Sequence, residues 1–165
     1  MDSPNPTAQE SRNRISEITL DPKSLGRANA NIEHEREVAI FDIIDGNSFA
    51  VEGLDDGPYT LFLGIADDRL QMNIGSADNP ALAQHGVPLT PLKRIMKDYF
   101  MVCESYYEAV RTAPPARIQA IDVNRRSLHD EGSTVLRERL LTKIVVDNDT
   151  ARRLFTLLCA LHWKG

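Results

Sequence analysis

Thr90, Lys93, Arg94 and Lys97 put one hydroxyl and three cations into the first turns of an amphipathic stretch. A helix N-terminus offers free backbone N–H groups and a partial positive potential, so phosphate or carboxylate is the ligand this end suits. Acidic side chains normally favour that end, yet here they come late, at Glu104 and Glu108. The arrangement opposes the helix dipole and calls for compensation. A bound anion would supply it. Acidic residues of the N-terminal half, such as Glu33 to Glu37, would do so too, and that intramolecular pairing is the simpler account.

A second group of titratable residues is bunched in His129-Asp130-Glu131-Gly132-Ser133. His129, Glu131 and Ser133 are the candidates for a polar site there, because a histidine beside a serine suits general-base activation of a hydroxyl. Gly132 argues against that use. It is expected to break the helix, so His129 and Ser133 need not face each other, and no Gly-x-Ser-x-Gly elbow is present. Ser133 or Thr134 capping a following helix accounts for the hydroxyls without chemistry. No catalytic residue is assigned.

His34, His85, His129 and His162 are scattered, and Glu33-His34-Glu35 point in different directions on a helix, so no metal is expected. The two cysteines, Cys103 and Cys159, fall in or beside apolar stripes and read as buried thiols; there is no Cys-x-x-Cys pair. No phosphate-binding glycine loop occurs, and no cofactor is expected. Tyr99, Phe100, Tyr106 and Tyr107 could stack nucleobases, but at helical spacing they read as core. Arg125, Arg126, Arg137, Arg139, Arg152 and Arg153 give the C-terminal half an arginine bias that suits phosphates and acidic protein faces alike. Trp163 either folds back on the last helix or is presented to a partner.

The elements that would position these residues follow from periodicity. Leu92, Ile95, Met96, Tyr99, Phe100, Cys103, Tyr106, Tyr107 and Val110 form one stripe along a helix over 90–111, with Thr90 as cap and Pro91 in its first turn. Ahead of it, 15–20 reads as a strand, 23–31 with Gly26 and Arg27 as a loop, 32–45 as a helix that Asn29 or Asn31 could cap, and 49–52 as a short strand. Two alternating runs, Tyr59 to Ile65 and Leu70 to Ile74, form an antiparallel hairpin around Ala66-Asp67-Asp68. Gly75 to Gly86 reads as a polar loop. After Pro114-Pro115 the chain is helical to the end, apart from a short strand at Ile144-Val145-Val146, and Asp147-Asn148-Asp149 caps the last helix. The fold class is α+β: a small antiparallel sheet with a central hairpin, packed by an N-terminal helix and a helical C-terminal half.

A chain of 165 residues with 42% hydrophobic and 26% charged residues is long enough for one buried core. Residues 15–165 are read as a single domain. Residues 1–14, with Pro4 and Pro6 among polar side chains and no apolar signal core, are read as a disordered tail. The net charge of −5 is uneven: 6 basic and 15 acidic residues lie in 1–90, and 13 basic and 9 acidic in 91–165. No apolar run is long enough to span a bilayer.

The segments EHEREVAIFDIIDGNSF, LTPLKRIMKDYFMVCESYYEAVRTAPP, LHDEGS and DTARRLFTLLCALHWKG together resemble the uncharacterised protein family UPF0262 of alphaproteobacteria, over nearly all of the chain from Ile15. The resemblance implies a small cytoplasmic bacterial protein and carries over no catalytic residues. The expectation is a non-enzymatic binding or regulatory protein acting on a macromolecular partner, most simply another protein. The alternatives are a small-molecule enzyme or ligand-binding protein with an anion site at the start of the 91–111 helix, and an RNA- or ribosome-associated protein.

Overall fold

The computed structural model describes residues 12–25 and 30–162. Gly26, Arg27, Asn29, Trp163 and most of the expected tail lie outside the described residues. Arg12 to Arg14, read as the end of that tail, are pinned to the fold. Arg12 forms a two-pronged pair with Asp55, the Asn13 carbonyl accepts from Phe49 N, and the Arg14 carbonyl accepts from Tyr59 N.

The described elements run β1 (Ile15–Leu20), α1 (Ala30–Asp45), β2 (Ala50–Val51), β3 (Tyr59–Ala66), β4 (Arg69–Gly75), β5 (Ala83–Pro88), α2 (Thr90–Thr112), α3 (Pro115–Leu140), β6 (Ile144–Val145) and α4 (Asn148–His162). Four strands form a sheet in the order β1-β3-β4-β5, while β2 and β6 pair separately as an antiparallel two-residue ladder. This is an α+β fold.

The expected hairpin is present, with Leu61 opposite Ile74, Leu63 opposite Met72 and Ile65 opposite Leu70; Ala66, expected in the turn, pairs with Arg69 as the last residue of β3. Its tight turn places Asp67 and Asp68 at φ 54° and 57°, the left-handed region that short polar side chains tolerate. The sheet is mixed, not wholly antiparallel. β1 runs parallel to β3, with Ile18 opposite Leu61, because α1 intervenes and returns the chain in the same direction. Asn47, just after α1, fastens this crossover: its side chain bonds both the N–H and the carbonyl of Ile15, at 2.7 and 3.0 Å.

The segment read as a polar loop contains β5, which pairs antiparallel to β4 from Ile74–Ala83 to Arg69–Pro88. Ala-Gln-His-Gly-Val-Pro has little intrinsic strand preference. The open edge of β4 and the burial of Val87 and Leu89 supply the register instead.

One face of the sheet carries the core. Leu63, Leu70 and Met72 meet Leu136 and Leu140 of α3 and Leu154, Leu158 and Leu161 of α4. The last helix buries the predicted stripe of Ala151, Leu154, Phe155, Leu158 and Leu161, and Asp147 caps it by accepting from Thr150 N at 2.8 Å.

Three expectations about helix ends change. α2 starts from Leu89, which is buried in the core, so Thr90 is already helical and makes no capping bond. Asn31, one of the two expected caps of the first helix, lies inside α1. Above all, α3 runs unbroken through His129-Asp130-Glu131-Gly132. Gly132 is a notch, not a stop: a Cβ there would lie 2.2 Å from Phe155 Cζ. Its missing side chain lets the α4 phenylalanine rest against the helix backbone, outweighing roughly 1 kcal/mol of lost helix propensity. Ser133, with no helix start to cap, donates to the His129 carbonyl one turn back at 2.7 Å.

Candidate functional site

The continuous α3 brings His129 and Ser133 onto one face and sends Glu131 to another. The Thr156 hydroxyl of α4 donates to the Arg152 carbonyl at 3.1 Å, so it accepts from His129 Nε2–H at 2.7 Å. That fixes the Nε2–H tautomer and leaves Nδ1 facing Ser133 Oγ at 3.4 Å. Since the Ser133 proton goes to the backbone, this contact is not the short bond a nucleophile makes to its base. Ser133 is 3% exposed.

The imidazole is packed edge-on against Phe155 and tilted against Tyr99, with centroids at 5.2 and 5.5 Å. Burial, then the Arg152 charge, hold its pKa down at about 4, with Asp130 pulling weakly the other way. At neutral pH this half-buried histidine is uncharged and a weak base. Arg152 is itself paired with Asp130.

Glu131 instead lines a shallow hollow of about 530 Å³ with Arg94, Glu138 and Arg139, beside Pro91, Ile95 and Val135. Of the proposed anion ligands, Lys93 is bound to Asp68 of the hairpin turn at 2.9 Å, and Arg94 stands 3.8 Å from Asp98 one turn on. Lys97 is exposed. The compensation for cations at this helix start thus includes a carboxylate from the β3–β4 turn, not the Glu33–Glu37 run. The same turn accepts Leu89 N on the Asp68 carbonyl at 2.9 Å, so hairpin and helix start are locked together. The hollow offers an anion two arginines and opposes it with two glutamates.

The arginines of the helical half are largely engaged by the fold. Asp122 takes both Arg125, at 2.6 Å, and Arg126, at 3.0 Å. Arg137 donates to the Val146 carbonyl and to Asn148, and Arg153 to the Gly46 carbonyl.

The concave site that sequence reasoning missed is a cleft of about 570 Å³ between α1 and α2, floored by α4. Ile32, Val38 and Ala39 come from α1; Tyr99, Phe100, Cys103 and Tyr107 from α2; Thr156, Cys159 and Ala160 from α4. Both cysteines are free. Burial raises the pKa of each thiol, so both remain protonated; for Cys103 the Tyr99 hydrogen bond and Arg125 oppose the rise. Glu35, Asp42 and Glu104 line the rim. Arg125 closes one end, its guanidinium 4.7 Å above the Tyr106 ring and its Nε and Nη2 on Asp122. Among the described residues no three His, Cys, Asp or Glu side chains are grouped to hold a metal.

One signal for this cleft was available. The stripe runs the length of a 23-residue helix, about 34 Å, and α2 packs chiefly on α3, which covers only part of that length. Its first turns, Leu92, Ile95 and Met96, are buried; Tyr107 and Val110 are 63% and 53% exposed.

These features define an α+β protein with a mixed sheet and an open interhelical cleft. The chain belongs to the uncharacterised protein family UPF0262, whose profile matches residues 12–164. It is 53% identical over 161 residues to the UPF0262 protein of Rhodopseudomonas palustris strain TIE-1, covering 98% of this chain and 99% of that one. It is 52% identical over 165 residues to the UPF0262 protein of Nitrobacter winogradskyi, covering 100% and 99%. No solved structure matches the chain. Among the described residues no helix is long and apolar enough to cross a membrane.

Proposed function

We propose that this is a non-enzymatic, cytoplasmic binding protein that receives part of a protein partner in the α1–α2 cleft. The observation that carries the reading is the cleft itself, where large apolar side chains from two helices open to solvent above a concave floor. Exposed apolar surface gathered into a groove is a usual place for a partner's peptide or helix to dock.

The other two readings draw less support. An anion site at the start of α2 meets Glu131 and Glu138 in the same hollow and an existing Lys93–Asp68 pair. RNA association needs a free arginine face, and Arg125, Arg126, Arg137, Arg152 and Arg153 make bonds within the fold.

The test is photo-crosslinking in cells, with p-benzoylphenylalanine placed at Val38 or Tyr107 and, as control, at the exposed Val145 of β6. A discrete protein adduct from both cleft positions and none from Val145 supports the reading. Absence of adducts at the cleft, or the same pattern at Val145, overturns it.

A further inference from the structure

We infer that the segment this cleft receives is an amphipathic α-helix with basic flanks; this rests on the protein-binding reading and specifies the partner's chemistry. The shape of the apolar surface argues for an elongated occupant. On α2 the wall residues Cys103 and Tyr107 continue, at helical spacing, to Val110 outside the cleft. On α1 the wall residue Val38 continues likewise to Phe41, which is 68% exposed. Two apolar ridges therefore run out past the hollow onto open surface. A compact small molecule would fill the hollow and leave those ridges wet. A helix of about three to four turns, presenting apolar residues at i, i+3 or i+4 and i+7, covers them together.

Charge selects among such helices. The described rim holds three carboxylates, Glu35, Asp42 and Glu104, and one cation, Arg125, already neutralised by Asp122. Burial raises the pKa values of Tyr107 and Cys103, and Glu35, which lines the same cleft from α1, adds to both rises. A helix bringing lysines or arginines alongside its apolar stripe meets complementary potential on both sides, whereas an acidic helix is repelled. The exposed rim makes that selection sensitive to salt.

Two fluorescent helical peptides of about four turns test this, sharing one leucine stripe and differing only in Lys or Glu on the flanks, titrated by anisotropy against the whole protein. The Lys peptide should bind at least roughly tenfold more tightly, and its affinity should fall as salt rises. Val38→Asp should abolish binding. The exposed triple change Glu35→Lys, Asp42→Lys, Glu104→Lys should reverse the preference, with circular dichroism verifying that both variants remain folded. Equal binding of the two peptides, or a preference the triple change leaves in place, overturns the basic-helix inference. If the cleft crosslinks nevertheless form, the protein-binding reading survives that result; if they too are absent, both fall.

Discussion

Helix α4 borders two quite different neighbourhoods within one turn. Around Phe155, the aromatic and polar groups of α2 and α3 close over it. His129 bonds Thr156, Ser133 bonds its own helix, and Gly132 gives up its side chain to make room. Around Cys159 and Ala160, the same helix floors a cleft whose apolar walls are left open. The first region contains the residues that look chemical in the sequence, yet every donor there has an intramolecular use. The second has a buried floor, and its wall residue Tyr107, which looks like core in the sequence, faces solvent. Titratable type and spacing marked the region that holds the fold together, and unfinished burial marks the one available to a partner.

The contrast can be broken from the closed side first. Phe155→Ala should cost about 3–5 kcal/mol in urea unfolding, since it empties the space between Gly132, His129 and Tyr99. Gly132→Ala is the sharper test because two effects differ in sign. Helix propensity alone predicts stabilisation by about 1 kcal/mol, whereas the clash with Phe155 predicts a net loss of about 1–3 kcal/mol. A more stable Gly132→Ala protein would show that α3 and α4 are not in the contact described.

The histidine provides a pH test of intermediate size. Above about pH 6.5 His129 is neutral in both states. Between that value and its folded pKa of about 4, the unfolded chain takes up a proton that the folded one does not, so stability falls as pH falls. With solvent screening of a half-buried ring, the loss should be about 1–2 kcal/mol. His129→Gln should remove that part of the slope; an unchanged slope would show the ring is not held neutral by its surroundings. Smallest of all should be changes on the open side. Tyr107→Ser and the surface variant Lys93→Ala should each shift stability by no more than about 1 kcal/mol. A large loss from Tyr107→Ser would mean that the cleft wall is structural after all.

Much of the architecture was legible in the chain. The β3–β4 alternation marked both arms of the hairpin and the position of its turn to within a residue, because a period of two allows only one face to be buried. The stripe over Ala151 to Leu161 and its Asp147 cap likewise needed only local rules. β5 was not legible, because its residues pair through the free edge of β4 and not through their own preference. Nor was the parallel placement of β1, which depends on where α1 returns the chain. Of the candidate residues, His129 and Lys93 stood out by type, but their partners Thr156, Phe155 and Asp68 come from distant elements, whereas Ser133 bonds back to its own helix.

By itself the sequence determined which faces are apolar, where helices and the hairpin form, and which family the chain belongs to. Those properties live in local periodicity and in long matched segments. Only the tertiary structure decided whether Gly132 stops a helix or admits a ring, whether Lys93 meets a ligand or the Asp68 carboxylate, and whether Tyr107 is core or surface. Each of those outcomes turns on which side chain arrives from far along the chain. Spacing within one helix cannot encode it.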